Sequence, residues 1–210
     1  MVFHDHPHDY NNDYSSGSIV ELNGYYYISS EISAPLYSGF ILKLNEQGEQ
    51  VWNRIFDILN VPTDHNMMDI AASNNSICAI GHGYSVSGNN DSNNSSGLIW
   101  WYSADCMELY TSIVDYQQPD YFVGSSYNDY LHTVTALSNG DFMAFGYAEY
   151  RTTAAGNSVN HPRLVRFNDS GVIFDKIITE ITRDGLRSNK ADIIEINDEH
   201  ILILGDTGQD

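Results

Sequence analysis

A tandem repeat constrains this chain more than any other feature. Three segments end in a short apolar run and a glycine: SICAIGHG at 76–83, DFMAFGYA at 141–148 and HILILGDT at 200–207. A fourth, YYYISSE at 25–31, has serine at that place. The matched positions Ser30, Gly81, Gly146 and Gly205 lie 51, 65 and 59 residues apart. Each run follows a turn pair, Asn23-Gly24, Asn74-Asn75, Asn139-Gly140 or Asn197-Asp198. Asn, Gly and Asp tolerate the positive φ that two-residue hairpin turns require. Before each pair stands another strand-like run: GSIVEL, MDIAAS, HTVTAL or ADIIEI.

After the first three runs comes a polar loop and a second hairpin. Its first strands are GFILKL, GLIWWY and PRLVRF, and its turns fall at 45–48, 103–106 and 168–171. The unit is therefore four strands, a–b–c–d. Tandem four-stranded units of this size are a signature of propeller blades, each of which buries its apolar face on the next. An ordinary β-sandwich is the competing reading, but sandwiches rarely repeat turn chemistry at matched offsets. The expected fold is all-β: a β-propeller-like array of about three and a half blades with an incomplete ring. The expected division is a polar tail 1–16, blades 17–60, 61–118 and 119–182, and a half blade 183–210. Helix is nearly absent, and Gly185 makes a loop of 180–190.

The start Asn128-Asp129-Tyr130, the strand ending in Gly146, and the run Lys43, Leu44, Asn45, Gly48, Trp52 together resemble the tandem β-propeller repeats of large secreted bacterial proteins, common in Bacteroidota. The resemblance spans roughly 12–208. It implies an extracellular or cell-surface location. Unit two departs from it with Ser103, Cys106 and Tyr110, and unit three with Asp175 where Trp would stand.

Composition bounds the partners. The 210 residues carry 28 Asp plus Glu against 9 Lys plus Arg, a formal net charge of −19, which repels nucleic-acid phosphates. No stretch approaches the length of a membrane-spanning helix, and MVFHDHPHDY is not a signal peptide. Fifteen tyrosines suit half-buried pleated surfaces. Cys78 sits in an apolar strand and Cys106 in a turn, so Cys78 reads as a small buried hydrophobe rather than half of a disulfide.

Candidate sites are few. His4, His6 and His8, with Asp5 and Asp9, have the composition of a metal-binding tract, although a flexible terminus must first lose ordering entropy. The loop around Asp91 offers oxygen donors of the kind Ca²⁺ takes, without the spacing or closing Glu of an EF-hand. No other cofactor is expected. The low-complexity run SVSGNNDSNNSSG reads as an exposed loop. Asp13, Asp64 and Asp129 recur at matched places, where Asp commonly bonds turn backbones. Trp100 and Trp101 point to opposite faces of one strand; one face is core, and the other is either buried on a further blade, the favoured reading, or a contact surface.

No nucleophile elbow, P-loop or zinc-protease motif is present. The turn NEQGEQVW resembles a sialidase Asp-box in outline, but its Trp comes one residue late and the Ser is missing. The main expectation is a non-catalytic extracellular binding or scaffold module with a protein or glycan partner, part of a larger protein. The alternatives are a glycan-active hydrolase or lyase on a propeller scaffold, and a subunit that completes its ring with another chain.

Overall fold

The computed structural model describes residues 14–15, 17–32, 38–55, 65–84, 95–105, 107–114, 128–151, 158–178, 192–197 and 200–204. Among them there are strands and turns and no helix. The first sheet holds β1 (Tyr14–Ser15), β2 (Ile19–Leu22), β3 (Tyr25–Ile32), β4 (Ser38–Leu44) and β5 (Gln50–Ile55), with β1 and β2 both paired to β3. The second runs β6 (His65–Ser73), β7 (Ser76–Tyr84), β8 (Ser95–Ser103), β9 (Glu108–Val114). The third runs β10 (Asp129–Ala136), β11 (Phe142–Arg151), β12 (Ser158–Asn168), β13 (Gly171–Ile177). The fourth is a hairpin of β14 (Asp192–Asn197) and β15 (His200–Leu204). Every ladder is antiparallel, and all except that of β1 with β3 join consecutive strands.

Turn chemistry sets the register. Asn23 and Asn74 take φ of 55° and 53°, and Gly24 follows at 78°. In the outer hairpins an Asn side chain replaces a backbone acceptor. Asn45 Oδ1 accepts from the Gln47 and Glu49 amides, and Asn168 Oδ1 from the Ser170 amide. The third unit's outer turn is one residue shorter than the first's. Leu44 pairs with Gln50, whereas Phe167 pairs with Val172. The position of Trp52, opposite Lys43, is therefore filled in the third sheet by Phe174, opposite Arg166, and not by Asp175.

The second sheet is buried on both faces. Ile77, Ala79, Leu98, Trp100 and Tyr102 pack against Tyr27 and Ile41 of the first sheet. Their neighbours Cys78, Ile80, Ile99 and Trp101 pack against Phe142, Ala144, Val165 and Phe167 of the third. Alternation of side chains along a strand produces both sets at once, which is why SICAIG and GLIWWY read as unbroken apolar runs. A smaller core of Leu137, Met143, Phe145 and Ile193 joins the third sheet to the fourth. Cys78 is a free, fully buried thiol in the second of these cores.

The repeated glycine answers a bulge in the inner strand. Met67 pairs with Gly81 and Asp69 with Ile80, leaving Met68 unmatched. Leu131 pairs with Gly146 and Thr133 with Phe145, leaving His132 unmatched. The bulge drives the Asn66 and Tyr130 carbonyl oxygens into the space a Cβ would fill on Gly81 and Gly146. The first sheet has its glycine just before the facing strand β2. A Cβ on Gly17 would collide with the Ser29 carbonyl, and the repeat position itself is Ser30.

Ser95, Ser96 and Gly97 correct the reading of a polar loop up to residue 97, since they form the start of β8 and are buried. The Ser95 amide and hydroxyl both donate to Asn128 Oδ1, and Gly97 lies under the Leu131 side chain. Small residues are there because the third sheet's inner strand covers them.

Gly146→Ala and Gly81→Ala should each destabilise the fold by about 2–3 kcal/mol, since the obstructing atoms are backbone. Urea denaturation followed by circular dichroism checks this. A lowered midpoint with an unchanged slope is the expected result.

Candidate functional site

Strands β7 and β11 end beside the starts of the inner strands β6 and β10. Register places Asn66 beside His82 and Tyr130 beside Tyr147 at that end. The bulge turns His132 into the same group. Glu31, near the end of β3, completes a row across three sheets.

The Asn66 amide is oriented by its neighbours. With its nitrogen toward Glu31 it donates to that carboxylate at 3.0 and 3.3 Å, and its oxygen accepts from His82 Nε2 at 2.9 Å. That orientation satisfies both partners and fixes the His82 proton on Nε2. The rings then follow one another. His82 meets Tyr130 edge-on at 4.4 Å, Tyr130 meets Tyr147 at 4.7 Å, and His132 stacks on Tyr147 at 5.1 Å. Such ring pairs contribute roughly 0.5–1.5 kcal/mol each beyond area burial, so the row is held as a unit.

Burial decides its charge. Loss of hydration pushes His132 down to about 4, and pushes His82, with His132 nearby, down to about 3. Both imidazoles are neutral at pH 7. His132 is 9% exposed, and neither of its ring nitrogens has a hydrogen-bond partner among the described residues. Tyr130 and Tyr147 are half-buried, each with part of its surface open.

Arg163 lies on β12 at the same end, wholly buried. Its Nε and Nη2 donate to the two oxygens of Asp175 at 2.9 and 2.6 Å, and Nη1 lies 3.0 Å from Asp129 Oδ1. Burial alone would lower its pKa, but Asp175 and Asp129 outweigh that and keep the guanidinium charged. Asp129 therefore serves as a counter-ion to Arg163.

The sequence-derived candidates fare differently. His4, His6, His8 and Asp91 lie outside the described residues, as do Asp13, Asp64, Cys106 and the segment 180–190. Trp100 and Trp101 are 1% and 4% exposed, one in each inter-sheet core. That corrects their reading as contact aromatics: with sheets packed on both faces of β8, neither ring reaches the surface. Among the described residues no group of three or more His, Cys, Asp or Glu could hold a metal ion. Nor is any helix there long and apolar enough to cross a membrane. The row itself was missed. Its only sequence signals are His82 directly after a repeat glycine and Tyr130 in the unit's opening tripeptide.

The chain is similar in structure to a sialidase of Trypanosoma rangeli solved in complex with sialic acid. The TM-score is 0.55 at 11% identity, over 91% of this chain and 34% of the sialidase. The chain thus spans about a third of that protein's length. No protein-family model matches it, and no curated protein sequence does. At this identity the likeness is one of fold. Together with the blades above, it makes the chain an all-β, propeller-type arc.

Two predictions follow from the charges. The lowered histidines bind protons only in the unfolded chain between about pH 4 and 6.5, so stability falls as pH falls through that window. Burial raises the Asp69 pKa, which acts in the opposite sense on the acid side. His132→Gln should flatten the loss, by up to about 1.4 kcal/mol per pH unit. Thermal melts across this range read it out. Separately, Asp129→Ala should destabilise by about 3 kcal/mol by leaving a buried cation with one partner, measurable by denaturant titration.

Proposed function

We propose that this chain is a blade segment of an extracellular, glycan-active propeller, and that the row from Glu31 to Tyr147 is its sugar-contacting surface. The observation that carries this is the row itself. Partly exposed tyrosine rings and a buried, neutral imidazole stacked on one of them sit together at one end of the inner strands. Sugars offer C–H faces to aromatic rings and hydroxyls to polar groups, and such mixed lining is usual in ligand sites. The fold likeness to a sialidase supports the same class, and the resemblance to secreted bacterial propeller repeats supports the location.

A second reading keeps the module as a binder or scaffold without catalysis. It is favoured by the described carboxylates at this end. Asp129 and Asp175 are tied to Arg163, and Glu31 to Asn66. Glycosidases commonly need two carboxylates free to face the bond.

Blades at 17–60, 61–118, 119–182 and 183–210 belong to the same proposal. So do further blades, in this or another chain, over the exposed end faces. Ile19 and Ile55 on the first sheet, and Ile196 and Leu204 on the fourth, are each at least half exposed.

Binding to an immobilised glycan panel tests the proposal. Tyr130→Ala and Tyr147→Ala should each weaken retention about three- to tenfold, with cooperative melting kept at a lowered midpoint. Sugar release from a retained glycan would select the catalytic reading over the binder. Absence of binding to every glycan would overturn the glycan-active reading.

A further inference from the structure

Resting on the reading of the exposed end faces as blade contacts, and not on the sugar row, we infer that the fourth sheet of one copy docks head to tail on the first sheet of a second copy. The contact between the second and third sheets supplies the pattern. There Ala71, Cys78 and Ile80 share a core with Val134, Phe142 and Ala144. The matched ladders put Ile194, Leu202 and Leu204 of the fourth sheet in the first three places. They put Ile19, Tyr26 and Ile28 of the first sheet in the other three. Ile28 is half-buried, and the other five are 39–58% exposed. Each end thus carries apolar side chains at the places that another pair of sheets in the same molecule buries.

A polar contact between inner strands specifies the same pairing. Asp69 Oδ1 accepts from the Ile70 amide at 2.8 Å, and Oδ2 reaches the next sheet, where it accepts from the Val134 amide and the Thr133 hydroxyl. Ser18 of the preceding sheet also bonds the Asp69 carboxylate. Asp192 holds the matched place on the fourth sheet, opposite Leu204 as Asp69 is opposite Ile80. Its Oδ1 accepts from the Ile193 amide at the same 2.8 Å, which sets the carboxylate in the same pose. Asp192 is exposed, and its second oxygen meets no donor among the described residues. Ser18, Asp69, Thr133 and Asp192 alternate hydroxyl and acid from sheet to sheet, and Ser18 of a second copy continues the series. The following amide, that of Ile19, is matched to Val134. It points away from β3, because Ser18 and Ser29 form the hydrogen-bonded pair beside it. That amide is the donor for Asp192. The fourth sheet brings two described strands where the second and third bring four, so the contact belongs to the small, weak class.

Sedimentation velocity on the full chain tests this. Association should rise with concentration over about 5–500 µM. Added salt should strengthen it, since each copy carries −19 and the contact is apolar. Ile19→Glu blocks one face and Leu204→Glu the other. Both sites are exposed, so dilute samples should melt as the unsubstituted chain does. Each variant alone should be monomeric. Their equimolar mixture should form a dimer and nothing larger, because one working end of each kind remains. Asp192→Asn keeps the bond to Ile193 and should weaken association about three- to tenfold. An unsubstituted chain that stays monomeric throughout would overturn this inference and leave the sugar reading to the glycan panel. A dimer that one substitution abolishes and the other leaves whole is held by like faces, and would overturn the blade reading of the end faces with it.

Discussion

A four-stranded antiparallel sheet pairs its backbone from strand to strand but has two faces, and no such sheet hides an apolar face by itself. In this chain the answer is stacking of sheet on sheet, and most other features follow from it. The second sheet, covered on both sides, supplies Ile77, Trp100 and Tyr102 to one core and Cys78, Ile80 and Trp101 to the other. Truncating a buried Trp typically removes 3–5 kcal/mol, so the adjacent pair Trp100-Trp101 ties three sheets through two residues. Exposure follows position in the stack. Strand β13, on the outside of the third sheet, leaves Val172, Ile173 and Phe174 substantially open.

Stacking bears hardest on the inner strands, where neighbouring sheets approach most closely and backbone groups need partners across the gap. The bulge provides them. Displaced by one residue, Asp69 on β6 turns its carboxylate onto the next sheet, where Oδ2 accepts from the Val134 amide at 2.8 Å and Thr133 Oγ1 at 3.0 Å. Glu195 does the same between the fourth and third sheets, accepting from the Ser138 amide and hydroxyl. The same irregularity in β10 projects His132 into the aromatic row. One local defect, tolerated because Gly81 and Gly146 have no Cβ, thus joins the sheets and shapes the candidate site.

This explains which parts of the molecule can be read from the sequence. Turn residues, the recurring glycine and the apolar runs are local and periodic, so the a–b–c–d unit and its hairpins were visible in them. The row was not, because Glu31, His82, Tyr130 and Tyr147 belong to three different units and meet only after stacking. The Arg163 pair was equally hidden: Asp129 looked like one of a series of turn-bonding acids, and Asp175 like a lost tryptophan. Register resolved both, since a turn shortened by one residue moves the aromatic to Phe174 and turns Asp175 to Arg163. The two tryptophans failed as contact residues for a related reason. Alternation assigns opposite faces, but only the neighbouring sheets determine whether either face is open.

The repeat also gives the stack a direction. Each sheet has one face made for the unit before it and one for the unit after. On the first sheet Tyr26, Ile28, Phe40, Leu42 and Leu44 stand where Ile77, Ala79, Leu98, Trp100 and Tyr102 stand on the second, by the matched ladders of β3–β4 and β7–β8. The second set is buried, whereas Tyr26 of the first is 39% exposed. On the fourth sheet Leu202 and Leu204 hold the places of Cys78 and Ile80, and are 43% and 52% exposed where those are fully buried. The two ends therefore present different faces, one predecessor-type and one successor-type, each with the pattern that is buried elsewhere in the same molecule. A surface built this way fits another blade of the same hand better than a copy of itself face to face, because like faces would bring two predecessor surfaces together. The direction of the stack extends to the row as well. Glu31, Asn66, His82 and Tyr130 follow one another in blade order, so any blade added at either end brings its own inner-strand residues alongside the ends of that row.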